Sequence, residues 1–227
     1  MSVNPSPNSN SPSPARVLVV DDHPIFRAGL IGLVSQEPDL IVCGEAHNAA
    51  QALVAIDALK PDLALLDIGL PDKSGLELLK DIRVMHPGLS VLIISMHDES
   101  LYAERVLRAG GRGYIMKHEG PEKIIKAIRK VLSGKVYVSD ETSAAILDGM
   151  SGVRAQDTNT LMAKLTDREF EILTLIGQGR DAPDIARQLH LSIKTVDTHR
   201  MHIRDKLSLK SNSELIHYAV RWGSADP

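Results

Sequence analysis

The chain of 227 residues contains a single cysteine, Cys43. An intramolecular disulfide and a cysteine-built metal cluster are therefore both excluded. Cys43 lies in the apolar run "DLIVCGE" and reads as a small core residue, a usage that fits a reducing compartment. No apolar run approaches the roughly 20 residues that a membrane-crossing helix needs, so no membrane partner is expected. Nor is there an overall excess of positive charge. The formal net charge is −3, so any nucleic-acid binding has to be local. The opening stretch "MSVNPSPNSNSPSP" lacks the apolar core and early basic residues of a signal peptide. Its Ser, Pro and Asn can bury little apolar area, so residues 1–14 are expected to form a disordered tail.

What remains is ordinary for a globular protein, with 43% hydrophobic and 24% charged residues, and long enough for one or two domains. Over residues 15–136, short apolar runs ("RVLVV", "LIVCGE", "DLALLD", "SVLIISM", "RGYIMK") alternate with longer stretches of helical period. Strands apolar on both faces, alternating with helices, imply a five-stranded parallel sheet covered on both sides, a doubly wound α/β domain. Residues 137–163 read as a linker. In it "DETSAAILDGM" can form a short helix, and "SGVRAQDTNT" holds turn formers and little apolar content. Residues 164–224 read as a small all-α domain. Thr166 with Glu169 and Ser211 with Glu214 have capping-box spacing. Asp181 and Ser192 are further N-cap candidates, and Gly179 suits a left-handed helix end. Four short helices with tight turns, ~60 residues in all, suit a helix-turn-helix unit.

Chemistry concentrates at the strand ends. The first strand runs straight into Asp21 and Asp22, and the third ends in Asp67. With strand order 2-1-3-4-5, strands one and three are neighbours at the switch point and these carboxylates share one cleft. Such a cluster repels itself unless a cation compensates it. Mg²⁺, which uses one or two carboxylates together with water and phosphate oxygens, suits it. Ser95 ends the fourth strand and Lys117 the fifth, and a hydroxyl and an ammonium beside the metal would serve a phosphoryl group.

The segments "VVDDHPIFRAGL", "LLDIGLPDKSGLELL", "IISMHDE" and "GYIMK" resemble the receiver domain of two-component response regulators. "LTDREFEILTLIGQGRDAPDIARQLHLSIKTVDTHRMHIRDKL" resembles a LuxR-type helix-turn-helix. Together, from Arg16 to about Trp222, the chain resembles a NarL/FixJ-type response regulator. The resemblance implies that Asp67 accepts a phosphoryl group from a sensor histidine kinase, as a carboxylate nucleophile. It implies that Asp21, Asp22, Asp67 and the carbonyl of Gly69 hold Mg²⁺, that Lys117 pairs with the phosphoryl group, that Ser95 donates to it, and that Tyr114 is an aromatic switch that turns inward. His118 follows Lys117 where many receivers carry a proline.

In the helical domain, the helix from Ile193 to Leu207 presents Lys194, Asp197, Thr198 and Met201 on one face and Val196, Ile203 and Leu207 on the other. In helix-turn-helix proteins such an outer face enters the major groove. From Leu191 to Lys210 five basic residues stand against two acidic ones, a local net of +3. The candidate contacts to double-stranded DNA are Lys194, Thr195, Asp197, Thr198, Arg200, Met201, Arg204 and Lys210. Asp197 could accept from cytosine N4 or could weaken binding. Asp197, Pro183 and Asn212 stand where the family often has basic residues, so weak binding by a monomer and dependence on a homodimer are expected. Half-sites should lie one helical turn apart, roughly 10 bp, or a multiple of it. His190, His199, His202 and His217 also fall in this domain. They have no cysteine beside them and no familiar ligand spacing, so the sequence does not point to zinc.

The expectation is a cytoplasmic transcription regulator rather than an enzyme, controlled by phosphorylation and dimeric when phosphorylated, with RNA polymerase as a further partner. Two rivals stay open. A Mg²⁺-dependent phosphohydrolase would carry a second Asp two residues after the nucleophile, but Asp67 is followed by Ile68 and Gly69. A regulator indifferent to phosphate would have no need of the intact Asp21, Asp22, Asp67, Ser95 and Lys117 set.

Overall fold

The computed structural model describes residues 13–150, 161–162 and 164–223. The expected tail falls mostly on 1–12 and the segment "SGVRAQDTNT" on 151–160, outside the described residues. Five parallel strands form one sheet: β1 (Ala15–Val20), β2 (Leu40–Ala46), β3 (Leu63–Leu66), β4 (Ser90–Ser95) and β5 (Gly113–Met116), in the order β2-β1-β3-β4-β5. Helices α1 (Pro24–Ser35), α2 (Ala49–Leu59), α3 (Gly75–Met85), α4 (Glu99–Arg108) and α5 (Pro121–Leu132) alternate with them.

The apolar strands are explained by their two covered faces. Val17, Val19, Leu63, Leu65, Leu92 and Ile94 pack with Leu30 and Val34 of α1 and with Ile124 and Ile128 of α5. Their neighbours in sequence, Leu18, Val20, Ala64, Leu66 and Ile93, point the other way, onto Ile56 of α2, Ile82 of α3 and Tyr102 and Val106 of α4. Each such aliphatic side chain contributes about 2 kcal/mol of transfer free energy, and no polar face is left to break the run. The chain beyond α5 returns to cover the β5 edge. Tyr114 N donates to Tyr137 O at 2.8 Å and Tyr137 N to Arg112 O at 3.0 Å, which closes an edge otherwise open to pairing. Helix α6 (Asp140–Met150) follows.

The C-terminal helices are α7 (Asp167–Gly177), α8 (Ala182–Gln188), α9 (Ile193–Leu207) and α10 (Asn212–Gly223). Thr166 and Glu169 form the reciprocal capping box at α7. Asp181 caps α8 and Ser192 caps α9. Gly179 takes φ 78° just past α7. The second spacing behaves differently. Glu214 N donates to Ser211 Oγ at 3.1 Å, but the Glu214 carboxylate accepts from Lys210 N, one residue earlier than a capping box requires. Val196, Ile203 and Leu207 of α9 are buried.

The two domains share one core. Phe170 of α7 meets Tyr102 of α4 edge-on at 5.0 Å between ring centroids and Trp222 of α10 at 5.3 Å. The Arg105 guanidinium lies 3.9 Å over the Phe170 ring. Arg105 also reaches the carbonyls of Met162 and Leu165 and the buried Asp167 carboxylate. Lys80 of α3 meets Asp167 from the other side at 2.7 Å. Glu171, fully buried, accepts from Ser74 Oγ and from Arg168 at 2.8 Å, and burial raises its pKa to about 6. Truncating one partner of a buried pair costs more than the pair contributes, because the other charge is stranded. Arg105→Ala should therefore weaken docking by about 2 kcal/mol. The expected readout is a larger radius of gyration by small-angle X-ray scattering, with the circular-dichroism spectrum unchanged.

Candidate functional site

The loops after β1, β3, β4 and β5 open at one end of the sheet. Asp21 is held rigidly: its Oδ1 accepts from His23 N at 2.8 Å, and its backbone N donates to Ala46 O. Asp67 follows β3 with its N donating to Val20 O at 2.9 Å. The β1–β3 register pairs Val20 with Leu66, so both chains leave the sheet at the same level. This is what converts two strand ends distant in sequence into one cluster.

Lys117 bridges them. Its Nζ stands 2.7 Å from Asp21 Oδ2 and 2.7 Å from Asp67 Oδ2, with the side chain almost fully buried. Burial works against the ammonium, but the charges of Asp67 and Asp21 outweigh it and raise its pKa. Burial and then the Asp67 charge push the Asp21 carboxyl above the ordinary range, against the pull of Lys117. Asp22 is more open and faces His23 Nδ1 at 2.7 Å. Gly69 and Ser95 line the same cleft, and Ser95 Oγ accepts from His97 N at 3.3 Å. Tyr114 lies apart from the cleft. Its ring is fully buried and its hydroxyl donates to the His97 carbonyl at 2.7 Å, so the ring already faces inward.

The residues fit a hard cation. Ligand atoms of Asp21, Asp22, His23 and Asp67 lie within 4.8 Å of one another. The buried oxygens Asp21 Oδ2 and Asp22 Oδ1 have no well-angled hydrogen bond. Three carboxylates face one ammonium, so the corner keeps excess negative charge, the condition that an oxygen-seeking Mg²⁺ relieves.

Sequence reasoning missed one wall of the cleft. Gln178, Arg187, Gln188, Leu189 and His190 of the C-terminal domain line it opposite Asp67 and Lys117. His190 Nε2 stands 3.7 Å from Asp22 Oδ2, and His190 has φ 53°. No local signal announces this, because the wall exists only once the domains dock.

On α9, Lys194, Asp197, Thr198 and Met201 are exposed on one face, and Lys210 is exposed beyond the helix end. Thr198 Oγ1 donates to Lys194 O at 2.9 Å. Thr195 is half-buried, its hydroxyl 2.8 Å from that of Ser192. Arg200 pairs with Asp197 at 3.5 Å. Arg200 and Arg204 are half-buried, and the Nε of each is buried without a hydrogen-bond partner.

Two domains of known type account for this arrangement. The response regulator receiver domain matches residues 17–129, and the family of bacterial regulatory proteins, luxR family, matches 163–219. The chain is 34% identical over 210 residues to the oxygen regulatory protein NreC of Staphylococcus haemolyticus, covering 91% of this chain and 97% of that one. Among solved structures, RcsB of Salmonella enterica serovar Typhimurium, bound to promoter rprA in the presence of the phosphomimetic BeF3−, is similar at 25% identity. The TM-score is 0.61, over 92% of this chain and 99% of that one. A LuxR-family two-component response regulator from Aurantimonas sp. SI85-9A1 is similar at 32% identity and TM-score 0.57, covering 61% of this chain and 99% of that one. The chain belongs to the two-component response regulators that join a receiver to a LuxR-type DNA-binding domain, and it is a phosphorylation-controlled, DNA-binding transcription regulator.

The loop carrying Asp67 tolerates little change. A Cβ at Gly75 would stand 2.1 Å from Asp67 O and 2.7 Å from the Ile68 Cα. Gly75→Ala should cost about 2 kcal/mol by overpacking, read in urea unfolding. Gly29→Ala, on α1 where a Cβ meets nothing within 4 Å, should be neutral or stabilising by about 0.5 kcal/mol.

Proposed function

We propose that Asp67 is the phosphoacceptor and that a sensor histidine kinase is its donor. A carboxylate oxygen of Asp67 attacks phosphorus, the N–P bond of the donor phosphohistidine breaks, and the imidazole leaves and takes up a proton. The product is an aspartyl acyl phosphate. The observation that carries this reading is Lys117 Nζ at 2.7 Å from both Asp67 and Asp21, an ammonium already placed beside the group on which phosphoryl charge would arrive. Asp21, Asp22, Asp67 and the Gly69 carbonyl would hold Mg²⁺, which when bound neutralises charge on the phosphoryl oxygens. Ser95 would donate to a phosphoryl oxygen, and Tyr114, with its ring inward, is the switch partner that fills the space beside β4. The chain works as a cytoplasmic regulator, not as a catalyst turning over a small substrate.

Residues 15–136 act as the receiver, 137–163 as the linker and 164–224 as the DNA-binding domain, with 1–14 a tail. Phosphorylation shifts the population from the docked form to one in which paired DNA-binding domains engage double-stranded DNA as a homodimer, with RNA polymerase downstream. Lys194, Thr195, Thr198 and Met201 meet base edges and nearby sugar-phosphate; Arg200, Arg204 and Lys210 supply phosphate contacts. Asp197 offsets Arg200 on this face, so Asp197→Asn should tighten DNA binding about threefold to tenfold and steepen its salt dependence, read by fluorescence anisotropy. Loss of sequence preference without tightening would instead assign Asp197 to base reading.

The primary test is intact mass after incubation with Mg²⁺ and acetyl phosphate, beside Asp67→Asn. One phosphoryl adduct on the wild type and none on the variant is expected, together with a gel-filtration shift toward dimer. Adduct formation on Asp67→Asn at the wild-type level would assign the chemistry elsewhere. Repeated turnover of the donor without a lasting adduct would favour the phosphohydrolase.

A further inference from the structure

The fold builds a second cluster of metal-ligating groups, away from the acidic cleft. Glu169 of α7 and His199 and His202 of α9 bring one ligand atom each within 4.8 Å of one another. The two histidines are three residues apart on α9, so they sit side by side on the same helix face. Their rings lie 6.5 Å apart, nearly perpendicular at 89°.

Each group is already oriented. Glu169 Oε2 is anchored by Thr166 N at 2.8 Å and by Lys206 Nζ at 2.6 Å. These contacts fix the carboxylate plane in the way that outer-shell partners fix a metal-ligating carboxylate, and they turn Oε1 toward the histidines. Oε1 stands 3.9 Å from His202 Nδ1. Tetrahedral zinc with ligand bonds near 2.0–2.1 Å sets neighbouring donor atoms about 3.3 Å apart. Bringing this pair to the zinc spacing takes a movement of about 0.6 Å. His199 Nδ1 is buried with no hydrogen-bond partner, a condition that a coordinate bond would satisfy. The fixed charges around His199 are mixed, with Glu169 and Glu77 negative and Arg168 positive.

We infer that Glu169, His199 and His202 form a site for a borderline divalent ion of the zinc class, completed by water. Two imidazoles and one carboxylate suit such an ion, whereas the all-oxygen acidic cleft suits Mg²⁺. The Lys206 ammonium beside Oε2 makes the site moderate in affinity. Bound there, the ion would tie α9 to α7 and add positive charge one turn from the exposed Thr198. This inference does not depend on the phosphorylation chemistry.

Cobalt(II) is the probe, titrated into full-length, tag-free protein with Mg²⁺ in excess to occupy the acidic cleft. The wild type should bind one Co²⁺ with the visible absorption of a four-coordinate or five-coordinate nitrogen–oxygen site, displaced by Zn²⁺. His202→Ala removes a half-exposed side chain. It should weaken binding by about 10-fold or more while circular dichroism stays unchanged. His202→Cys should restore binding and add a thiolate-to-cobalt charge-transfer band in the near ultraviolet. No binding by the wild type would overturn the assignment. Equal binding by His202→Ala, or a His202→Cys complex without the new band, would do so as well, and either would place the ion elsewhere.

Discussion

Lys117 carries its ammonium 2.7 Å from two carboxylates that belong to different strands. Without it, the Asp21 and Asp67 carboxylates would face each other across the cleft with no positive charge between them. The receiver is arranged around making this contact. Parallel register puts the ends of β1 and β3 level, β5 delivers the lysine from the far side of β4, and the apolar strands keep the backbone from adjusting. The Phe26 ring lies 4.7 Å from the same ammonium, so one flank of the lysine is apolar and the remaining direction is into the cleft. A charge held this way is an electrostatic element placed in advance, the condition under which such groups act most strongly.

Docking of the DNA-binding domain uses different physics. Its centre is aromatic and aliphatic, Tyr102, Phe170 and Trp222, and its rim is ionic, with Asp167 between Lys80 and Arg105. Glu171 is the less comfortable member. It is fully buried, and desolvation raises its carboxyl above the free value despite Arg168 and Ser74. A joint with an apolar centre and a strained buried acid is cohesive without being irreversible, which suits a domain that must also bind elsewhere.

Much of this is legible in the sequence alone. The apolar runs showed a sheet covered on both sides, and Asp21, Asp22, Asp67, Ser95 and Lys117 stood at run ends, where topology brings them into one cleft. Caps at Thr166, Asp181 and Ser192 marked the helix starts because a side-chain oxygen two or three residues before a free N–H is a local event. What was not legible is non-local. Asp167, Glu171 and Arg105 look like residues of solvated helix faces, and only the partner domain buries them. Arg187 and His190 carry no sign of facing Asp67. Arg200 and Arg204 counted as positive charge in the sequence, yet both are half-buried and Arg200 is paired to Asp197. Charge counts ignore such pairing.

The wall that Gln178, Arg187 and His190 raise across the cleft has a consequence for traffic. The Asp67 side chain is only 5% exposed, and its approach runs between two domains. A small, flexible donor needs less of that gap than a protein does. A folded donor such as the proposed kinase would have to bring its histidine past α8 to the same oxygen. The two kinds of donor therefore place different demands on the joint. If the joint has to open for the protein donor, its rate would include an opening equilibrium that the small donor does not sense.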